Sequence, residues 1–201
     1  MIKTKFRKSL KRKLSLMSER EIIKTSATIQ LNCLKYVKTL KHENVLIYMP
    51  SKSEVKTDAI RKKMLNKNKK VYIPRVLEEN KLHFNKFVSE DNLVINKFNI
   101  LESIDQAILP AEKFDLLILP FVGIDKKGSR LGHGGGYYDR ALQDLKYLND
   151  KAIIIGLGYE FQLINDEFGE PHDLKFDLVF TEQGFHRYWL KYRDRNLKIS
   201  S

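Results

Sequence analysis

Apolar positions along this chain recur in two periods. From residue 19 to about residue 40 they follow helical spacing, with Ile23, Ala27, Leu31 and Leu34 on one stripe. Ser18-Glu19-Arg20-Glu21 precedes that stripe and reads as a capping box, in which serine and glutamate satisfy the free N–H groups of a helix start. Residues 3–14 predict a short basic helix before it. Thr57 is expected to cap another helix running to about residue 67, with Ile60, Met64 and Leu65 inward. Between the helical stretches lie short apolar runs of strand length: Val45 to Met49, Val71 to Ile73, Leu116 to Leu119, Ala152 to Gly156 and Leu178 to Phe180. Pro50 ends the first run and Pro120 the third, since a continuing central strand would not tolerate proline there. Leu82 to Phe87 alternates like a strand with one open face. Residues 88–112 read as irregular, and residues 137–148 as a helix.

Short apolar strands alternating with helices predict an α/β fold, a mostly parallel central sheet with helices on both faces. The 201 residues fit a single domain over residues 1–185, followed by a polar, basic C-terminal tail over residues 186–201. In such sheets ligands bind outside the carboxyl ends of the strands, which here carry Met49 to Glu54, Arg75, a glycine loop and Gly158 to Gln162.

Composition adds limits. Hydrophobic residues make up 42% and charged residues 31% of the chain. No run approaches the ~18 apolar residues of a membrane span. No apolar signal core follows the basic N-terminus, so a cytoplasmic protein is expected. The lone Cys33 excludes an internal disulfide and a multi-cysteine zinc site, and reads as packing. Net charge is +12, and residues 1–24 hold nine Lys or Arg against two Glu. Such a cluster suits nucleic acid or a small polyanion such as ATP, and a lysine-rich solvated surface accounts for charge elsewhere.

Residues 115–139 read DLLILPFVGIDKKGSRLGHGGGYYD. Glycine fills four of the five positions 132–136, exposing backbone N–H groups that no side chain shields. Between a strand end and a helix start, those groups and the helix's positive end form a socket for phosphate. Asp139 is placed to hold a divalent cation beside it. No lysine follows as in a Walker A loop, and the sixth position from Gly132 is Tyr137 rather than the third glycine of a dinucleotide fingerprint. A plain flexible turn is the alternative; the flanking arginine, lysines, tyrosines and aspartate favour a nucleotide site.

The stretch from Leu119-Pro120 to Arg140 closely resembles the 5-formyltetrahydrofolate cyclo-ligase family. Three weaker blocks agree in order: Lys3-Thr4-Lys5-Phe6-Arg7; Tyr48-Met49-Pro50 with Glu54-Val55 and Thr57; and Gly156 to Gln162 with His172-Asp173 and Thr181-Glu182. The resemblance spans roughly residues 3–184. It implies ATP- and Mg²⁺-dependent conversion of 5-formyltetrahydrofolate to 5,10-methenyltetrahydrofolate, with release of ADP and phosphate.

By the same resemblance, Lys3 and Arg7 meet the nucleotide phosphates from the N-terminal helix. Arg130, Leu131, Gly132, His133, Gly134, Gly135, Gly136, Tyr137 and Tyr138 wrap ATP, and the stretch from His133 to Tyr137 also touches folate. Met49 and Glu54 take the folate positions, the glutamate suiting the donor edge of a pterin. Asp139 and Asp173 become the magnesium carboxylates. Arg75 and Lys127 receive no role. His133 and Gly135 depart from the family pattern, where an aromatic or arginine and a basic residue occur. The lone His133 and His172 do not suggest zinc. The expected partners are 5-formyltetrahydrofolate and ATP, met by a monomer without specific nucleic acid or membrane. A kinase or sugar-phosphate isomerase on a similar sheet, and a nucleic-acid-binding module, are the competing readings.

Overall fold

The chain runs α1 (Ile2–Leu16), α2 (Glu19–Val37), β1 (Asn44–Ile47), α3 (Asp58–Asn66), β2 (Lys70–Val76), β3 (Leu82–Phe87), β4 (Leu93–Ile95) and β5 (Leu101–Ser103). It continues with β6 (Leu116–Pro120), β7 (Gly123–Ile124), β8 (Arg130–Leu131), α4 (Tyr137–Ala141), β9 (Ile153–Leu157), β10 (Leu178–Thr181) and β11 (Gly184–Arg187). This computed structural model describes residues 2–78, 81–146, 152–170 and 173–188. His172 and residues 189–201 of the expected tail therefore lie outside the described residues.

Seven strands form one sheet in the order β11-β10-β9-β6-β1-β2-β3. The five from β10 to β2 are parallel, and the edge strands β3 and β11 are antiparallel. This is the mostly parallel α/β sheet read from the apolar runs. β6 occupies the middle, and every one of its residues is buried, as two-sided coverage requires. Pro120 still pairs with Leu157, so the proline closes the strand from within. From β1 the chain builds outward to β2 and β3, then returns to β6 and builds the other way. The switch point lies between β1 and β6, where ligand clefts form in such sheets.

Strand side chains alternate between two cores. Val45, Ile47, Leu116, Ile118, Ile155, Leu178 and Phe180 meet Ile29, Cys33 and Val37 of α2 and Ile60 and Met64 of α3. Leu46, Leu117, Leu119, Ile154 and Val179 point the other way, onto Phe84, Phe114, Phe121, Leu142, Leu145 and Phe176. Both faces are covered, but unequally. Long helices cover one face, whereas loops, aromatic rings and the five residues of α4 cover the other. The helix expected over residues 137–148 ends at Ala141 and gives way to a 3-10 turn, Gln143–Lys146.

The inward face of α2 differs from the expected stripe. Ile23 and Leu31 are 55% and 54% exposed, and the buried positions are Ile22, Ser26, Ile29, Gln30, Cys33 and Val37. Two polar residues face inward because α3 needs them. Gln30 Oε1 accepts from Ala59 N at 2.9 Å and Ile60 N at 3.3 Å, and Ser26 Oγ accepts from Lys56 N at 3.0 Å. Gln30 thus satisfies first-turn amides that Thr57 was expected to cap. The Thr57 hydroxyl instead donates to Tyr48 O and accepts from Arg61. The Ser18 capping box forms as expected.

Two further expectations are corrected. Residues 88–112 hold the antiparallel hairpin β4–β5. The boundary at residue 185 falls inside β11, so His186 and Arg187 belong to the sheet. Among the described residues no helix is long and apolar enough to cross a membrane. Gln30→Ala is expected to cost about 1–3 kcal/mol by leaving two helix-start amides without their partner. Ile23→Ala is expected to stay within about 0.5 kcal/mol. Denaturant midpoints compare the two, and the reverse ranking would restore the stripe read from the sequence.

Candidate active site

At the carboxyl ends of β1, β2 and β6 lies a cleft of about 380 Å³, within the range of small-molecule sites. Its floor comes from the turn after β1, with Met49, Ser51 and Glu54, and from Pro74, Val76 and Pro120. That turn is held from below. Tyr48 Oη donates to Val55 O at 2.7 Å and Tyr159 Oη to Ser53 O at 3.3 Å. One wall is the hairpin, with Asn96, Phe98, Ile100 and Glu102. Glu102 bolts it to the sheet, accepting from Val76 N at 2.7 Å and Asn96 Nδ2 at 2.6 Å. The opposite wall is the glycine block with Arg130, Gly132, His133, Gly135, Gly136, Tyr137, Tyr138 and Asp139. The rings of Phe98 and Tyr137 meet edge to face across it, 6.0 Å apart.

Glu54 is the polar group of the floor. It accepts from Ser51 N at 2.7 Å and pairs with His133 Nε2 at 3.0 Å. Burial pushes its carboxyl upward, but the His133 and Ser51 contacts together outweigh it and hold Glu54 below the usual carboxylate value. Burial also raises the hydroxyl of Tyr138, with Glu54 reinforcing the effect and Arg130 opposing it.

The far side of the glycine block faces α1. That helix carries two ladders at four-residue spacing, the turn-to-turn interval of one helix face. Phe6, Leu10 and Leu14 form the docking ladder. Phe6 lies 5.9 Å from the Phe168 ring, and Leu10 and Leu14 are buried. Lys3, Arg7 and Lys11 form the charged ladder. Arg7 Nε donates to Gly132 O at 2.9 Å, Lys11 Nζ to His133 O at 3.2 Å and Lys3 Nζ to Asp173 Oδ2 at 2.7 Å. Burial opposes the charge on Lys3, yet Asp173 and Glu170 outweigh it and raise its pKa above the ordinary lysine value. Arg140 takes a third loop carbonyl, Gly135 O, at 2.7 Å. In a trans peptide the N–H points opposite its carbonyl. The amides of His133, Gly134 and Gly136 are therefore directed away from these cations. Gly134 and Gly136 have φ of +110° and +66°, a backbone that side-chain-bearing residues rarely adopt. Successive amides bent in this way make an anion-binding concavity. The helix dipole contributes less than expected, because α4 is short and Gly136, its N-cap, is left-handed.

The structure thus sorts the residues singled out in the sequence. Met49, Glu54, Arg130, Gly132, His133, Gly135, Gly136, Tyr137, Tyr138 and Asp139 share the cleft. Gly134 turns toward Arg7, and Leu131 is buried beside Gly123 in the β7–β8 pair. Lys3, Arg7 and Asp173 lie on the α1 side of the loop. Lys127 pairs with Glu167 at 2.6 Å, and Arg75 sits in β2 opposite His83. The hairpin residues were missed, although Asn96-Lys97-Phe98-Asn99 between apolar Leu93-Val94-Ile95 and Ile100-Leu101 is a turn signal.

Both expected magnesium carboxylates already have cations. Arg130 is 6% exposed and donates to Asp139 Oδ1 at 3.0 Å, while Asp173 is held by Lys3. Among the described residues no group of three His, Cys, Asp or Glu is gathered for a metal. These residues do not form a self-sufficient cation cage. They suit an ion carried mainly on phosphate oxygens and steadied by one or two carboxylates, the usual habit of Mg²⁺.

Fold and site define an α/β enzyme of small-molecule metabolism, with an apolar cleft walled by a loop of bent glycine backbone. The chain matches the 5-formyltetrahydrofolate cyclo-ligase family over residues 1–182 and belongs to that family. It is 31% identical to the 5-formyltetrahydrofolate cyclo-ligase of Haemophilus influenzae over 157 residues, 76% of this chain and 83% of the relative. The mouse cyclo-ligase is 26% identical over 88% of this chain and 91% of its own. Among solved structures, the 5,10-methenyltetrahydrofolate synthetase of Aquifex aeolicus superposes with a TM-score of 0.79 at 28% identity, covering 98% of this chain and all of that one. The chain is accordingly an enzyme with the cyclo-ligase activity of its family.

Two outcomes test the geometry. Asp139→Ala is expected to cost about 1–3 kcal/mol by stranding the Arg130 guanidinium, and Asp139→Asn, which keeps an acceptor, to cost less. An Asp139→Ala protein that melts with the wild type would remove the pair from the stability of the fold. For Glu54 the folded pKa lies below the unfolded one, so its contribution is complete above the unfolded value of 4.5. That contribution is lost as pH falls through the lower folded value. The stability gap between wild type and Glu54→Gln is therefore expected to be wide above this window and to close below it, read from denaturation at stepped pH.

Proposed function

We propose that this enzyme converts 5-formyltetrahydrofolate to 5,10-methenyltetrahydrofolate at the expense of ATP, with Mg²⁺, and releases ADP and phosphate. The observation that carries this reading is one loop with two differently equipped sides. An apolar cleft with a buried carboxylate lies on one side, and a ladder of cations lies on the other.

Folate suits the cleft by shape and chemistry. Glu54, held ionised, accepts from the donor edge of the pterin in place of His133, and Met49 packs beneath the ring. ATP phosphates lie along the glycine-block amides from Gly132 to Tyr137, with Arg130, Leu131 and Tyr138 fixing that stretch and with Lys3 and Arg7 adding positive charge from the α1 side of the block. Asp139 and Asp173 would steady Mg²⁺ there, and the ion would offset phosphate charge. The formyl oxygen attacks the γ-phosphorus, the bond to the β-phosphate oxygen breaks, and ADP departs. N10 then adds to the activated formyl carbon and loses its proton. The carbon–oxygen bond breaks, phosphate leaves, and the electron pair on N5 completes the methenyl bridge. Phosphorylation turns a poor leaving group into a good one. The protein contributes position and charge neutralisation rather than covalent chemistry. The same reading keeps the enzyme a cytoplasmic monomer that acts without nucleic acid or membrane.

Near-UV absorbance is expected to rise when the protein meets 5-formyltetrahydrofolate with Mg-ATP, and to stay flat when either is omitted. A flat trace with all components present would sink the proposal. Arg7→Ala is expected to raise the KM for ATP by about tenfold, the worth of one charge-assisted hydrogen bond. Glu54→Gln is expected to raise the folate KM instead. The same ATP KM in Arg7→Ala as in the wild type would remove α1 from the nucleotide site.

A further inference from the structure

Asp125 belongs to none of the groups described so far, yet it is 1% exposed and accepts four backbone hydrogen bonds. Its Oδ1 takes Ser129 N at 2.8 Å and Lys127 N at 2.9 Å. Its Oδ2 takes Gly169 N at 2.9 Å and Phe168 N at 3.2 Å. The two oxygens therefore serve two different loops. The first fixes the turn immediately before Arg130, whose guanidinium holds Asp139. The second fixes the start of the turn leading to Asp173, where Glu170 N returns to Asp173 Oδ2 at 2.7 Å. Phe168, held by its own amide, presses on Phe6 of α1, one residue before Arg7 and three after Lys3.

We propose that Asp125 is a positioning residue that sets the turn before Arg130, the loop that carries Asp173, and α1 in register around the nucleotide. This rests on the ATP-site reading above. A buried carboxylate fully occupied by amides fixes the spacing of those amides, because any displacement leaves buried donors without partners. The close approach of the loops agrees. A Cβ on Gly169 would overlap the Ser129 hydroxyl and come within 2.9 Å of Asp125 Oδ2, so only glycine allows the two backbones to meet there. The groups these bonds bear on, Arg130, Asp139 and Asp173, are the ones the nucleotide reading uses, and neither Met49 nor Glu54 takes part, so the effect falls on nucleotide more than on folate.

The experiment is Asp125→Asn in the full chain. A carboxamide has one acceptor oxygen and one donor nitrogen. Whichever way it turns, its nitrogen faces two donors and releases one loop. Calorimetric affinity for Mg-ATP is expected to fall by at least about tenfold, as misplacement of a binding group by about 1 Å commonly costs more. The affinity for 5-formyltetrahydrofolate without nucleotide is expected to stay within about twofold, as for an independent site. Gly169→Ala, which forces the Asp173 loop and the Ser129 turn apart while keeping the Asp125 carboxylate, is expected to lose Mg-ATP affinity and to keep folate affinity. Asp125→Asn with both affinities unchanged, or with both lowered in parallel, overturns the proposal. If Asp125→Asn does not fold, the Gly169→Ala comparison decides by the same rule. A wild-type protein that binds Mg-ATP without turning folate over would remove the reaction and leave this inference standing. One that does not bind Mg-ATP removes both.

Discussion

Arg130 is a guanidinium buried where the central strand β6 ends. Its Nε donates to Pro120 O at 3.0 Å, its NH1 reaches Asp139, and its plane lies 5.2 Å from the centre of the Tyr138 ring. Taking such a charge out of water costs several kcal/mol unless hydrogen bonds and an opposite charge surround it. Satisfying this one group fixes three pieces of the site at once. The strand end is tied to the guanidinium, the guanidinium to α4, and the glycine block is left to span the space between. A Cβ at Gly132 would fall 2.8 Å from Arg130 NH1, so the block is threaded past the side chain at a distance only glycine permits. The brevity of α4 follows. A five-residue helix has little stability of its own, and its first turn is held by Asp139 reaching back to Arg130.

Charge divides along the same line. The +12 excess and the basic N-terminus suggested a polyanion without identifying one. α1 separates its cations by position. Lys3 and Arg7 lie half-buried against the Asp173 turn and the loop, and Lys11 reaches the loop from an exposed position, while Lys5, Lys8 and Arg12 are exposed. The apolar ladder beside them, docked on Phe168 and the core, converts a charged helix from a solvated arm into a wall.

Legibility in the sequence followed how local each feature is. The parallel sheet was readable because two-sided burial leaves a continuous apolar run, as in Leu116 to Leu119. The glycine block was readable as bent, unshielded backbone, which glycine itself announces. The inward face of α2 was not, because Ser26 and Gln30 are turned inward by amides at and just before the start of a helix about thirty residues later. Periodicity counts apolar residues and is blind to a partner's free N–H groups. The hairpin was lost for a related reason. Its triplets are too short for a pattern, and Val94 and Ile95 remain largely exposed, so no burial signal accompanied the turn residues. The length of α4 misled in the opposite sense, since helical residues were present but tertiary contacts end the helix at Ala141.

The two carboxylates expected to meet a metal illustrate the limit of residue-by-residue transfer. The sequence supplies Asp139 and Asp173, and their chemistry alone invites a cation. In the fold each already has a positive partner, Arg130 and Lys3. Neither carboxylate is an idle negative charge. A lone divalent ion would have to displace a cation that is well placed and, for Arg130, buried. A polyphosphate changes that balance, because its own charge can engage the cations while its oxygens complete the coordination of the ion. Under the proposed function, the arrangement therefore favours a metal arriving with the nucleotide over a resident ion. That preference arises from the pairing of charges, a relation that neither aspartate shows when read alone.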